Sequence, residues 1–361
     1  MKFIHCSDVH LGAPHTSISA DKALIRKREL FATFEKLCDY AVENQVVAVI
    51  ISGDLFDVKK ITKKLKDSVF GCISNAKNVD FLYLPGNHDS QIFSSSDNLP
   101  DNLKVFSANA WSSFRYNNIN IQGAFFDRAN SQTIYSSLQC SKNDFNIVVL
   151  HGQIANYKND EDTEIISLPL LKDKNINYLA LGHYHSFASG SLGANGVFAY
   201  SGTLEGRGFD ETGDKGFVLI DTDLQDNFYQ FVPFAYRKLY EVNYTIDFSI
   251  SWYENKKNII TYLKEQFPTT SLIKLVLQGS KPINYIIDKA DLESTISTIY
   301  FYAKVEDKCS LQIETSAYLD DKSIKGEFFR LVAQSDLDSP TKSKVIACGL
   351  NALSGEDLLW S

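Results

Sequence analysis

The chain has 361 residues, which is enough for a large core and for more than one domain. Its 44% hydrophobic and 22% charged residues are typical of globular proteins, and a net charge of −8 argues against a protein that coats nucleic acid by charge alone. The six cysteines form no C-x-x-C pair, which fits reduced thiols in a cytoplasmic protein better than a disulfide framework or a zinc ribbon. The N-terminus starts directly with a strand-like segment and no apolar run approaches the length of a membrane span, so we expect neither secretion nor membrane insertion.

The first two-thirds of the chain alternates predicted strands with predicted helices. The elements in chain order are strand 2–6, helix 21–44, strand 46–52, helix 59–75, strand 79–84, a surface loop over 90–109, and strands 114–116, 119–124, 145–150 and 178–181. The run over 46–52 is apolar on both faces, which is typical of the centre of a parallel sheet. Four further strands predict a second sheet packed on the first; they lie near 187–192, 197–200, 216–221 and 227–232.

From about residue 237 the pattern changes. The predicted elements are strand 239–246, helix 251–267, strand 272–277, helix 292–303 and strand 310–314, and none of them ends in a pair of metal-ligand residues. We interpret residues 237–320 as a separate α+β domain. The tail over 321–361 contains two predicted helices, 324–333 and 341–353, which are separated by residues 336–340.

The stretch over 46–57 gives the strongest local indication of a ligand-binding residue at the end of a strand. Its apolar run ends at Ser52-Gly53, and glycine lets the backbone turn so that the Asp54 carboxylate lies at the carboxyl end of the strand. In open α/β sheets ligands bind at that edge. An aspartate after a glycine is also common as a turn residue or a helix N-cap. We favour the functional interpretation because four other predicted strands end in metal-ligand residues.

Five strand ends present such residues, in the order Asp8 with His10, Asp54, Asn87 with His88, His151, and His183 with His185. In the D-x-H and H-x-H pairs both side chains point the same way if the backbone stays extended. Carboxylate, imidazole and amide ligands suit Mn²⁺, Fe²⁺ or Zn²⁺, and the absence of thiolates argues against structural zinc. The set is too large for one tetrahedral ion, so we predict two metals about 3.5–4 Å apart that share one carboxylate.

These motifs resemble those of a known family. Five segments are similar, in this order, to the motifs of the calcineurin-like metallophosphoesterases: Asp8-x-His10, Gly53-Asp54, Gly86-Asn87-His88-Asp89, His151-Gly152 and Gly182-His183-Tyr184-His185. The flanks over 3–12, 53–57 and 200–202, with Gly206-Arg207 and Lys215-Gly216, resemble the Mre11/SbcD branch of DNA repair exonucleases on its bacterial side. The resemblance implies an α/β fold, a four-layer sandwich of two central mixed sheets flanked by helices, with a smaller α+β capping domain and C-terminal helices.

Carried over residue by residue, the resemblance implies two metal sites. The implied ligands are Asp54 as the bridge, Asp8, His10 and His185 at the first metal, and Asn87, His151 and His183 at the second. His88 would lie beside the scissile phosphate without binding a metal, and Asp89 would orient it. Archaeal and eukaryotic members have a histidine at the position of Asp57, where an aspartate is usual on the bacterial side.

The resemblance further implies a dinuclear-metal-dependent DNA exonuclease, with endonuclease activity as an additional expectation. The enzyme would bind two divalent ions, for which Mn²⁺ is the preferred assignment and Fe²⁺, Mg²⁺ or Zn²⁺ are alternatives. Residues 1–236 would be the metallophosphoesterase (nuclease) domain, 237–320 the capping domain and 321–361 an ATPase-docking tail. The implied partners are DNA and an SMC/Rad50-like ABC ATPase with a coiled coil, and a homodimer is a further expectation. Two alternatives stay open, namely a phosphodiesterase or phosphatase on non-DNA substrates and a largely non-catalytic adaptor.

Two further features have competing interpretations. Lys59, Lys60, Lys63 and Lys64 follow the predicted bridging carboxylate and are candidate DNA-binding residues, but a solvated helix explains them about equally well. Five apolar tail residues are either ordinary core or a face kept for a partner, namely Phe328, Leu331, Ile346, Leu350 and Leu353.

Overall fold

The computed structural model describes residues 1–15, 18–57, 61–89, 93, 98–107, 110–157, 165–194, 196–282, 285–312 and 321–353. The chain divides into two compact units, residues 1–239 and residues 240–361. All six cysteines lie within the described ranges and are free. None of the helices described there is both long enough and apolar enough to cross a bilayer.

The first unit is built from short strands connected by helices and loops. In chain order its described elements are β1 (Lys2–Cys6), α1 (Ala20–Glu43), β2 (Ala48–Ser52), α2 (Lys63–Asn75), β3 (Asp80–Leu84), β4 (Leu103–Val105), β5 (Ser112–Tyr116), β6 (Ile119–Gly123), α3 (Ile134–Ser137), β7 (Phe145–His151), α4 (Leu168–Leu171), β8 (Tyr178–Gly182), β9 (Ala188–Leu192), β10 (Gly196–Tyr200), β11 (Gly216–Asp221) and β12 (Tyr229–Pro233). A short 3-10 helix, Ala155–Tyr157, lies between β7 and α4.

The strands of the first unit form two mixed sheets. Sheet 1 has the order β12-β11-β1-β2-β3-β4, and sheet 2 has the order β5-β6-β7-β8-β10-β9. Neighbours from β1 to β4 pair in parallel, and so do β6, β7, β8 and β10. Because the carboxyl ends of parallel strands share one edge of a sheet, the loops after β1, β2 and β3 emerge together, as do those after β7 and β8.

Apolar side chains fill three layers of this unit. Leu30, Phe34 and Leu37 recur on one face of α1 at helical spacing and belong to the core on the helix side of sheet 1. A second core between the sheets includes Ile50 of β2 and Val149 of β7. A third core joins sheet 2 to α3 and α4. The order helix, sheet, sheet, helix confirms the predicted four-layer α/β sandwich.

Sheet membership differs from the prediction, which placed only the strands from residue 187 onward in the second sheet. Sheet 2 also contains β5 to β8. β11 and β12 were expected in the second sheet, but β11 pairs antiparallel with β1 and β12 pairs antiparallel with β11, so both belong to sheet 1. The sequence pattern does not reveal a strand's neighbour because every strand presents the same backbone donors and acceptors. α2 begins at Lys63, where the Thr62 side chain accepts a hydrogen bond from the Leu65 amide. The predicted start at residue 59 lies outside the described residues, which omit 58–60.

The second unit contains two small sheets and four described helices. Its elements are β13 (Leu239–Thr245), α5 (Trp252–Gln266), β14 (Leu272–Gln278), β15 (Ser280–Pro282), α6 (Lys289–Ser297), β16 (Tyr302–Asp307), β17 (Ser310–Gln312), α7 (Ile324–Gln334) and α8 (Ser339–Leu353). The strand orders are β13-β14-β16 and β15-β17. β16 was not predicted; it pairs in parallel with β14 and buries Ala303 and Val305 at alternate positions.

The two tail helices share a small apolar cluster of Phe329, Val332 and Ile346. Of the five tail residues singled out by the sequence, Ile346 is buried in this cluster and Phe328 packs against it, whereas Leu331 and Leu353 are exposed. The side chain of Leu350 lies outside the described residues. Part of the predicted apolar set is therefore core and part faces solvent.

Candidate metal centre

Five strand ends from both sheets place the predicted ligand residues in one region. Asp8 and His10 follow β1, Asp54 follows β2, and Asn87 follows β3, all in sheet 1. His151 is the last residue of β7, and His183 and His185 follow β8, both in sheet 2. Contacts among their side chains and backbone connect all seven residues into one cluster.

The backbone at these strand ends is not extended. Asp8 has φ 50°, His10 has φ 50° and Asp54 has φ 52°, so all three residues adopt the left-handed conformation. Asp8 and His10 were expected to point the same way if the backbone stayed extended, and this condition is not met. Left-handed residues other than glycine cost about 1–3 kcal/mol each and concentrate at functional sites, where the surrounding structure holds them. Here the His10 amide donates to the Asp54 carbonyl at 2.9 Å, and the Asp8 amide donates to the Gly53 carbonyl at 3.1 Å.

Gly53 allows the sheets to approach each other at the site. Its φ is 97°, and a β-carbon built there would lie 2.0 Å from Nδ1 of His151. Only glycine tolerates both the left-handed conformation and this contact. The glycine that precedes Asp54 is therefore required for His151, on sheet 2, to lie against the end of β2.

The first candidate ligand cluster consists of Asp8, His10 and His185. Nε2 of His10 lies 3.3 Å from Nε2 of His185. Oδ1 of Asp8 lies 3.9 Å from Nε2 of His10 and 3.7 Å from Nε2 of His185. Three ligand atoms thus face a common point, and His10 and Asp8 are buried.

The second candidate cluster consists of Asp8, Asp54 and His151. Nε2 of His151 lies 3.4 Å from Oδ2 of Asp54 and 2.8 Å from Oδ1 of Asn87. The same Asp54 oxygen lies 3.9 Å from Nε2 of His10, so this carboxylate lies between the two clusters.

His183 lies beside the second cluster. Its ring centroid is 5.5 Å from that of His151, and its backbone amide donates to both carboxylate oxygens of Asp8, at 3.1 and 3.0 Å. Its Nε2 is buried and makes no hydrogen bond to the described residues. A buried nitrogen lone pair without a donor is suited to a metal ion.

The hydrogen bonds of His151 also fit a metal ion. Nδ1 of His151 lies 2.9 Å from the carbonyl oxygen of Ser52 and donates to it, which leaves Nε2 facing the oxygens of Asp54 and Asn87. Two oxygens and a nitrogen lone pair repel one another unless a cation, either a proton or a metal ion, lies among them. Burial would lower the pKa of His151, but the Asp54 carboxylate outweighs it and raises that pKa to about 9.

Asp57, rather than Asp89, contacts the ring of His88. Oδ1 of Asp57 lies 3.0 Å from Nδ1 of His88, and this hydrogen bond raises the pKa of His88 although partial burial opposes it. Both oxygens of Asp89 accept backbone amides instead, from Gly86 at 2.8 Å and Phe56 at 3.0 Å. The expected role of Asp89 as the partner of His88 is corrected accordingly. Asp89 shapes the turn that carries Asn87 and His88.

Sequence reasoning missed two further residues at the centre, Glu211 and Arg207. Nδ1 of His185 donates to Oε1 of Glu211 at 2.7 Å, and Arg207 donates to the same carboxylate. Both lie in the loop before β11, which does not follow a predicted ligand-bearing strand. The available signal was the Gly206-Arg207 pair, which carried the family resemblance but had no role attached to it.

The predicted DNA-binding lysines are only partly described. Lys63 and Lys64 are exposed in the first turn of α2, whereas Lys59 and Lys60 lie outside the described residues. Their contribution to a DNA groove stays a prediction.

Comparison with known proteins defines the family. Residues 1–187 match the model of the calcineurin-like phosphoesterases. The chain belongs to this family. The prediction of a metal-dependent phosphodiesterase, a hydrolase, is thereby confirmed.

Several curated relatives of this phosphoesterase are DNA repair proteins. The DNA double-strand break repair protein Mre11 of Saccharolobus solfataricus is 29% identical over 61% of this chain and 60% of its own length. Mre11 of Sulfurisphaera tokodaii is 22% identical over 97% of this chain and 92% of its own length. The uncharacterized metallophosphoesterase YhaO of Bacillus subtilis is 27% identical over 78% of this chain and 72% of its own length. The chain spans 60% of the length of the S. solfataricus protein. These matches confirm the predicted resemblance to the family that includes Mre11.

Proposed function

We propose that this phosphoesterase is a DNA nuclease with two divalent metal ions, which acts as an exonuclease and also as an endonuclease. The observation that carries the proposal is the position of Asp54, whose Oδ2 lies 3.4 Å from His151 and 3.9 Å from His10. One carboxylate oxygen between two ligand clusters is the arrangement that a dinuclear site requires. The DNA specificity rests on the relatives, which are named as DNA double-strand break repair proteins.

We assign the ligands of the two ions as follows. Asp54 would be shared by the two ions. Asp8, His10 and His185 would hold the first ion, and Asn87, His151 and His183 would hold the second. The set contains carboxylate, imidazole and amide groups and no thiolate, which favours Mn²⁺ over structural zinc and leaves Fe²⁺, Mg²⁺ and Zn²⁺ as alternatives. When bound, the two ions would neutralise phosphate oxygens and lower the pKa of a water molecule.

In this proposal His88 acts on the substrate. Its side chain is 49% exposed, whereas that of His10 is 1% exposed, so His88 is accessible to a phosphodiester. Asp57 accepts a hydrogen bond from Nδ1, and this hydrogen bond raises the pKa of His88 and so favours its imidazolium form. We assign to the Nε2–H of His88 the stabilisation or protonation of the leaving oxygen. Asp89 supports this residue indirectly, through the turn over residues 86–89.

The remaining parts of the chain are assigned by the same family resemblance. We propose residues 1–236 as the nuclease domain, 237–320 as a capping domain, and 321–361 as the docking segment for an SMC/Rad50-like ATPase in the cytoplasm. A homodimer is part of this proposal. The exposed tail residues Leu331 and Leu353 support an external partner. Deletion of residues 322–361 should abolish binding to that ATPase and leave metal-dependent cleavage intact.

Nuclease assays test the proposal directly. The purified protein is incubated with Mn²⁺ and linear or circular DNA, single-stranded or double-stranded, and in parallel with bis(p-nitrophenyl) phosphate. We expect the wild-type protein to shorten linear DNA from its ends and to cleave circular single-stranded DNA. Both activities should be absent in Asp54→Ala. Hydrolysis of the small diester with all DNA intact would favour the phosphodiesterase alternative. A protein that binds two ions and hydrolyses neither substrate would favour the adaptor.

A further inference from the structure

Two carboxylates outside the assigned ligand set, Glu211 and Asp57, lie next to the imidazoles of the first ligand cluster. His185 donates from Nδ1 to Oε1 of Glu211 at 2.7 Å. Nδ1 of His10 lies 3.6 Å from Oδ1 of Asp57 and has no hydrogen-bond partner at closer range among the described residues. Each imidazole of this cluster therefore turns Nε2 towards the other and its second nitrogen towards a carboxylate.

One arginine joins these two carboxylates. Arg207 donates from Nη2 to Oε1 of Glu211 at 2.7 Å and from Nε to the same oxygen at 3.1 Å. Its Nη1 lies 3.5 Å from Oδ2 of Asp57. The planar guanidinium presents five donors in a fixed fork, so a single arginine can hold two carboxylates at a set separation. Without that positive charge the two carboxylates would repel each other and would no longer be held at that separation.

The loop that carries Arg207 is itself held by a buried ion cluster. Arg26, which is 1% exposed, donates to the Gly206 carbonyl at 2.9 Å and to Oε2 of Glu205 at 2.7 Å. Thr33 of α1 donates to the other oxygen of Glu205. The backbone on the N-terminal side of Arg207 is thus fixed against α1, which leaves the arginine little freedom to follow a displaced carboxylate.

We propose that Arg207 is a positioning residue that, through Glu211 and Asp57, sets the orientation of His185 and His10 and so the affinity of the first metal site. The proposal deepens the proposed function because it rests on the same ligand assignment. The second site takes His151 and His183, whose nearest described contacts are Ser52, Asn87, Asp54 and Asp8 rather than Arg207. Loss of Arg207 should therefore affect the two sites unequally.

The test measures Mn²⁺ binding by calorimetry and electron paramagnetic resonance in the full chain. Arg207→Gln should retain one ion at wild-type affinity and bind the other about 10–100-fold more weakly, the usual cost of losing a group that orients a ligand. Glu211→Gln, which keeps the shape of the side chain, should show the same split. Arg207→Lys keeps the charge but not the fork, and should bind the weakened ion less tightly than wild type and more tightly than Arg207→Gln.

Arg330→Gln is the matched control because Arg330 also makes a two-point contact, with the Glu327 carboxylate at 2.7 Å and the Asp321 carbonyl at 2.8 Å, and neither partner belongs to the candidate centre or to the Arg26 cluster. It should bind both ions normally. Combining Arg207→Gln with His183→Asn identifies the affected site. His183→Asn should remove the ion of the second site, so the ion that remains should be the one that Arg207→Gln binds more weakly. The melting temperature of each metal-free variant reports its effect on the fold.

The proposal is overturned if Arg207→Gln binds both ions like wild type, or if Arg207→Lys fully restores binding. It is also overturned if Arg207→Gln weakens both ions equally, and melting far below Arg330→Gln would then show that the arginine is merely structural. These results for metal binding by the variants can be distinguished from a failure of the proposed nuclease function. A wild-type protein that binds two ions but leaves DNA intact would refute the nuclease and leave the role of Arg207 testable.

Discussion

Nε2 of His151 lies 3.4 Å from Oδ2 of Asp54, and the two residues come from different sheets. Asp54 follows β2 of sheet 1, whereas His151 ends β7 of sheet 2. The contact shows that the candidate metal centre is assembled where the two sheets meet. It depends on their packing as much as on the ligand residues themselves.

The first prediction is that Asp54→Ala loses both metal ions. Its carboxylate is the ligand that we assign to both metal sites, so its removal takes one negative charge away from each site. Metal analysis of the purified variant checks this, with Asp144→Ala, which removes the surface partner of Arg115, as the control. Two ions at wild-type occupancy in Asp54→Ala would show that the bridge is misassigned.

The second prediction concerns His88. His88→Ser should retain both ions and bind DNA, while cleavage falls by about 10²–10⁴-fold, the range for loss of a general acid. The reason is that His88 contacts Asp57 and is half exposed, whereas the assigned ligands surround the centre. Single-turnover cleavage and metal analysis on the same preparation check this. Loss of an ion would make His88 a ligand, and unchanged cleavage would leave it without a catalytic role.

The third prediction is a shift of the pH–rate profile in Asp57→Asn. The hydrogen bond from Asp57 raises the pKa of His88, so the imidazolium persists to higher pH than it would for an isolated histidine. Replacing the carboxylate by an amide lowers this pKa, and activity should then decline at a lower pH on the alkaline side. Cleavage rates across pH 6–10 at saturating metal check this. A profile that does not move would separate Asp57 from the protonation of His88.

The fourth prediction is that the stability of the metal-free protein falls as pH rises. The pKa of His151 is raised by Asp54 to about 9, above the usual value near 6.5. Because the pKa of His151 is higher in the folded state than in the unfolded state, its protonation stabilises the folded protein fully below about pH 6.5. This stabilisation is lost as the pH rises through about 9. Melting temperatures of metal-free wild type should decline over this range, and those of His151→Gln should decline less. Equal slopes for the two proteins would contradict the prediction.

The fifth prediction concerns His5, which bonds across the two sheets. Its Nδ1 lies 2.8 Å from the Tyr178 hydroxyl of sheet 2, and its Nε2 lies 2.8 Å from the Ser52 hydroxyl of sheet 1. Burial lowers the pKa of His5 to about 3, so the ring is neutral at pH 7. His5→Phe leaves two buried hydroxyls without this partner, at about 1–3 kcal/mol each.

Chemical denaturation of His5→Phe, Tyr178→Phe and the double variant measures this coupling. The double variant should lose less than the sum of the two single variants, because it removes both ends of one hydrogen bond. Additive losses would mean that the contact between the sheets contributes little.

Much of the fold could be predicted because its signals are local. The buried run of β2 and the amphipathic α1 follow from side-chain periodicity, and the four-layer arrangement followed from the family that the motifs resemble. β16 was missed because its six residues show only two inward positions, Ala303 and Val305, and its pairing with β14 spans 30 residues of sequence. β11 and β12 were assigned to the wrong sheet because periodicity contains no information about the neighbouring strand.

For the candidate site, the sequence by itself determined which residue types stand at the strand ends, and these limit the chemistry to carboxylate, imidazole and amide ligands. Only the tertiary structure decided how they converge, through left-handed backbone at Asp8, His10 and Asp54 rather than an extended strand. It also decided that Asp57 contacts His88, and that Glu211 and Arg207 stand behind His185. His185 and Glu211 are 26 positions apart in the sequence, and Arg207 lies 150 positions from Asp57, which it also contacts. Such pairs depend on how two sheets and a loop pack in space, which residue spacing along the chain does not encode.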